Sequence, residues 1–163
     1  MKTMIATIVC CFAFLTTKAA AKTEQPLSAT LTFYYNIKNA LVAGDAAAAA
    51  SQAASFLDAV NNANTTSLGS KEQEAFSALR QKLAADAKKI TENKDLAAQR
   101  ASFTTLSDNM YKLAKAVKLS SDPVYQAYCP MKKAYWLSSE AAIKNPYYGS
   151  SMLTCGKVSD TIH

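Results

Sequence analysis

Histidine is almost missing from this chain: the one residue, His163, occupies the last position. A Ser-His or Cys-His nucleophilic pair, a Glu-x-x-His di-iron ligand set and a Cys-x-x-Cys-His haem attachment all require imidazole, and a frayed terminus is a poor place to hold one. Glycine is nearly as scarce, at four residues, which excludes a Gly-rich phosphate loop. Only Arg80 and Arg100 are arginines, and the lysines are scattered rather than clustered among aromatics, so the footprint of nucleic-acid binding is missing. The formal charge of +6 reads as a solvated face. Glu72, Glu74, Asp86 and Asp95 fall on the expected outer faces of helices, not on one shared face where acid–base or di-metal chemistry would need them. A non-enzymatic protein is the expectation.

The start of the chain has the layout of a secretory signal peptide. Met1-Lys2 gives a short positive start, Ile5 to Leu15 an apolar stretch, and Thr16 to Ala21 small residues for cleavage. The apolar stretch is too short for a permanent membrane span. Cleavage near Ala19 to Ala21 removes Cys10 and Cys11; Thr7-Ile8-Val9 lacks the small residues that lipid modification of those cysteines prefers. The expected product is a periplasmic or secreted protein, residues 22–163, with two cysteines left in a compartment that permits disulfides. At about 142 residues it suits one domain with a sizeable core.

From Pro26 to about residue 118 the apolar spacing is helical. Leu27, Leu31, Tyr34, Leu41 and Val42 form a first stripe that breaks at Gly44. Asp45 is placed to cap a second helix running through Ala46 to Ala50, Ala53, Leu57 and Val60, whose alanines let a neighbour approach closely. Ser70 with Gln73 resembles a capping box ahead of Phe76, Leu79, Leu83, Ala87 and Ile90. Leu96, Phe103, Leu106, Met110, Leu113 and Val117 share one face of a fourth helix. Four such helices with short loops predict a mainly α fold, an antiparallel four-helix bundle.

Beyond Asp122-Pro123 the pattern changes. Val124 to Tyr128 and Ala134 to Leu137 are short, aromatic and β-prone, and Asn145-Pro146-Tyr147-Tyr148-Gly149 signals a turn. A small appendage of short strands and turns is predicted, docked on the bundle by Tyr125, Tyr128, Trp136 and Tyr147. Ser138 or Ser139 is placed to cap a single helical turn before Asn145.

The appendage carries the chain's distinctive chemistry: Cys129-Pro130-Met131 and Met152-Leu153-Thr154-Cys155-Gly156. Thiolate and thioether sulfurs are soft donors suited to Cu(I) or Ag(I). Alternate residues of a strand point the same way, so Cys129 and Met131 can share a pocket, and a turn can bring Met152 and Cys155 to one side. Cys129, Met131, Met152 and Cys155 are therefore the candidate metal ligands. The alternative is a Cys129–Cys155 disulfide, closing a loop of about 27 residues and stabilising the fold by roughly 3–4 kcal/mol on the chain-entropy account. That bond would pin an aromatic tail as a partner-docking face, with the methionines as ordinary packing.

These tail segments, with Ala134 to Ser138 and Ile143 to Gly149 between them, resemble a family of exported domains common in Bacteroidota, domain of unknown function 3347. Leu41-Val42-Ala43-Gly44-Asp45 ahead of alanines, and Asp95 to Arg100 ahead of Phe103 and Leu106-Ser107, are similar as well. The resemblance implies an exported domain of no established activity, found alone or fused to periplasmic adaptor subunits of copper and silver efflux pumps. Such an adaptor, or another envelope protein, is the partner it implies. Relatives often carry histidines in the loop before the fourth helix, and sometimes before Cys-Pro-Met. Here those places read Lys88-Lys89-Ile90-Thr91 and Gln126-Ala127-Tyr128, so a metal site in this chain rests on sulfur.

Overall fold

The structure, a computed structural model, describes residues 26–163; the expected signal segment lies outside the described residues. The first helix, α1 (Ser28–Ala43), stops where Gly44 turns left-handed at φ +75° and returns its N–H to the last-turn carbonyls of Ala40 and Leu41. Asp45 then caps α2 (Ala46–Asn61), accepting the Ala48 N–H at 2.8 Å. Ala49 and Ala53 are fully buried, the close helix approach that the alanine run predicts. The start of α3 (Ser70–Glu92) differs from expectation by one residue. Gly69 is the N-cap, its N–H donating to Glu72 Oε2 at 2.8 Å, while the Gln73 amide donates to the Leu68 carbonyl. Asp95 caps α4 (Leu96–Ala116) through the Ala98 N–H at 2.9 Å. Of its six-residue stripe, Phe103, Leu106, Met110, Leu113 and Val117 are buried and Leu96 is half-buried.

The helices form the antiparallel four-helix bundle. α1 packs on α2, α2 on α3 and α3 on α4, but α1 and α4 touch only lightly. That leaves a seam, and the C-terminal segment occupies it. No helix among the described residues is long and apolar enough to cross a membrane. One expected outer-face carboxylate is in fact inside: Asp86 is 6 % exposed and accepts from the Asn109 amide at 2.9 Å, because α4 packs over that part of α3.

Three strands follow: β1 (Val124–Cys129), β2 (Ala134–Ser138) and β3 (Lys157–Ile162), in the order β2-β1-β3 with both pairings antiparallel. The helical turn expected after Ser138 is not there. Ser138 belongs to β2, and its hydroxyl accepts the Glu140 N–H; the turn comes later, as a 3-10 turn at Gly149–Met152.

As the sheet's edge, β2 directs backbone groups away from β1, and two tyrosine hydroxyls meet them. Leu137 donates its N–H to the Tyr34 hydroxyl of α1 at 2.9 Å, and the Tyr147 hydroxyl donates to the Tyr135 carbonyl. Trp136 and Tyr147 are buried and meet edge-on at 6.0 Å, fulfilling their expected docking role. Tyr125 and Tyr128 do less; both are half-buried, and Tyr128 packs on Tyr135 within the sheet at 4.7 Å. Arg100 of α4 ties the seam further, donating to the Leu41 and Pro146 carbonyls at 2.9 Å each.

Candidate functional site

Cys129 is the last residue of β1 and closes the β1–β2 hairpin opposite Ala134. The register pairing Tyr128 with Lys157 carries the chain just before β3 alongside that hairpin end. Cys155 sits there. Gly156, at φ +149°, makes the approach feasible: a Cβ on it would lie 2.9 Å from both a ring carbon of Trp136 and the Tyr128 carbonyl. Cys129 Sγ and Cys155 Sγ consequently stand 3.8 Å apart. A disulfide bond is about 2.05 Å long, so the two are free thiols. Residues 26 apart in sequence have been brought into one dithiol.

The pair is asymmetric. Cys129 is fully buried and Cys155 half-buried. Burial pushes the Cys129 thiol up, but donors around it outweigh that: the Lys132 N–H at 3.4 Å, the Asn145 side chain, the Cys155 thiol and the Met131 N–H. The net result is a pKa below the ordinary thiol value. Cys155 moves the other way, raised by desolvation and then by its bond to Cys129 and that neighbour's charge. The first proton lost therefore leaves a thiolate on Cys129 with Cys155 donating to it.

Asn145 fastens the site from beneath, and its sequence context signals only a turn. Fully buried, it donates its side-chain amide to the Cys155 carbonyl at 2.7 Å and accepts the Tyr147 N–H at 2.9 Å. Its own N–H donates to the Leu153 carbonyl at 2.8 Å. The bond to Tyr147 is an Asx turn, which an Asn-Pro-Tyr sequence does advertise. What the sequence conceals is that the same amide reaches both cysteine segments.

The methionines lie at the rim. Met131 belongs to the hairpin turn, its N–H close enough to bias both thiols, and its side chain is 63 % exposed. Met152 ends the 3-10 turn; its carbonyl accepts the Cys155 N–H at 3.1 Å and its side chain is 41 % exposed. No group of three or more His, Cys, Asp or Glu suited to a metal occurs among the described residues. Beside the two thiols, the sulfur side chains nearest in sequence are Met131 and Met152. For a metal–thiolate bond of about 2.3 Å, sulfurs 3.8 Å apart subtend about 110° at the ion. That angle suits three or four donors rather than a linear pair.

The family described as Protein of unknown function (DUF3347) matches residues 30–122, more than half of the chain. The chain belongs to this family. The match runs from α1 through α4 and ends before β1, so the DUF3347 likeness resides in the helices. The Cys-Pro-Met and Met-Leu-Thr-Cys-Gly segments, on which the resemblance rests most heavily, lie beyond the matched residues. Neither a curated protein nor a solved structure matches the chain.

Proposed function

We propose that this DUF3347 protein is an exported, non-enzymatic binder and carrier of Cu(I) or Ag(I) in the periplasm. Cys129 and Cys155 supply thiolates, and Met131 and Met152 supply thioethers. The observation that carries this reading is the pair of thiols held 3.8 Å apart by two separate chain segments. Soft monovalent ions take two or three sulfur donors, and the asymmetric deprotonation provides one thiolate ahead of the other. An efflux-pump adaptor subunit is the partner class that the resemblance implies.

The test is a titration of reduced full-length protein with Cu(I) against a chromophoric competitor. The expected result is one ion per chain, lost in the Cys129→Ser/Cys155→Ser variant. No uptake, or uptake unchanged by that variant, would overturn the reading. A second reading is a Cys129–Cys155 disulfide that pins the tail as an interaction module; from 3.8 Å, closing it needs each sulfur to move by about 0.9 Å. That reading expects no free thiols in protein isolated from the periplasm and a lower melting temperature on reduction.

A further inference from the structure

The large apolar side chains that stand exposed among the described residues are Met131, Tyr135, Met152, Leu153 and Val158, and none lies on the bundle. Four of them lie within three residues of Cys129 or Cys155. Pro130, Ser150, Ser151 and Thr154 are exposed beside them. Lys132, Lys133 and Lys157 rim the same end of the sheet, all exposed. The salt bridges of the described residues engage Lys88, Lys89, Lys115 and Lys144 instead. Among the described residues no salt bridge engages Lys132, Lys133 or Lys157.

An apolar surface ringed by like charge is arranged for a partner, not for packing within the molecule. We infer that this end of the sheet is a docking face for a protein whose facing surface is acidic and presents its own soft sulfur donors. The acidity follows from the three lysines. The sulfur donors follow from the half-buried Cys155 thiol and the exposed Met131 and Met152 at this rim, where a soft ion can pass to a soft ligand; this part rests on the soft-metal reading above. Cys155, the more exposed thiol, is the one an incoming donor meets first, while Cys129 holds the ion from inside.

The test uses reduced full-length protein and two synthetic peptides of equal length, each with two methionines, one set among aspartates and the other among lysines. In metal-free protein the aspartate peptide is expected to shift backbone amides in residues 131–133 and 150–158, an effect that fades with added salt, and the lysine peptide to shift none. From Cu(I)-loaded protein, transfer to the aspartate peptide should be faster by about tenfold or more at low salt. The Lys132→Glu/Lys157→Glu variant, which leaves every sulfur in place, should reverse the preference in both measurements. Equal amide responses to the two peptides, or shifts located elsewhere, overturn the docking face. Failure to load Cu(I) overturns the soft-metal reading, and the amide shifts then decide the docking face without it.

Discussion

Replacing Tyr34 with Phe deletes one buried oxygen and leaves the ring, so it isolates what joins the tail to the bundle. That hydroxyl accepts the Leu137 N–H at 2.9 Å and shares a 2.7 Å hydrogen bond with the Ser107 hydroxyl of α4. The ring's stacking on Phe103, with centroids 5.1 Å apart, survives the change. Ser107 lies within a helix and can turn its hydroxyl to a carbonyl one turn back, so its loss is small. Leu137 has no such recourse, since its N–H points away from β1 at the edge of the sheet. A buried donor left unpaired costs about 1–3 kcal/mol, which puts Tyr34→Phe at about 2 kcal/mol and lowers Tm by roughly 5–10 °C. Burial raises the Tyr34 pKa well above its ordinary value, so the hydroxyl stays protonated and the effect should not vary across neutral pH. Thermal unfolding by circular dichroism gives the magnitude, and amide exchange at Leu137 gives the location. A loss below about 0.5 kcal/mol with unchanged protection at Leu137 would refute the assigned bond. A Ser107→Ala cycle should return a coupling of about 1 kcal/mol between the two hydroxyls.

The thiols should titrate in two separated steps by thiolate absorbance, the first below and the second above the ordinary thiol range. Cys155→Ala removes a donor to the Cys129 thiolate and should raise the remaining step; Cys129→Ala removes the neighbouring charge and should lower it. Shifts of the same sign in both variants would contradict the asymmetry. Arg100→Lys cannot reach the Leu41 and Pro146 carbonyls together and is expected to cost about 1–3 kcal/mol, read as a lower urea midpoint with Trp136 fluorescence changing first. Coincident fluorescence and helix transitions at the wild-type midpoint would count against that tie.

The bundle is legible in the sequence because its signals are local and repeated. Asp45 and Asp95 each cap the helix they precede, and the stripe from Phe103 to Val117 is buried without exception. The shift from Ser70 to Gly69 at the third helix reflects two overlapping solutions, since Glu72 and Gln73 both stand where a capping partner could. Asp86 misleads because burial there depends on Asn109, which is 23 residues away, and no helical period encodes a hydrogen bond across an interface. β3 is illegible for a related reason. Lys157 to Asp160 are exposed or half-buried, so the strand lacks the apolar alternation by which strands announce themselves and is defined by its pairing with β1.

The pairing of the cysteines was only half visible. Their chemistry is plain from Cys-Pro-Met and Met-Leu-Thr-Cys-Gly, but their meeting depends on residues that carry no sulfur. Asn145 holds the Cys155 carbonyl, Gly156 lets the chain pass against Trp136, and the Tyr34 and Tyr147 hydroxyls occupy the edge of β2 that anchors the hairpin ending in Cys129. Tyr34 belongs to α1, inside the DUF3347 match, whereas the sulfurs lie beyond it. The bundle therefore sets the dithiol without contributing an atom to it. Any substitution that frees β2 from α1 should loosen the 3.8 Å approach before it unfolds a helix. Soft-metal affinity in Tyr34→Phe should accordingly fall while helix content at room temperature is unchanged; an affinity equal to wild type would uncouple the site from the seam.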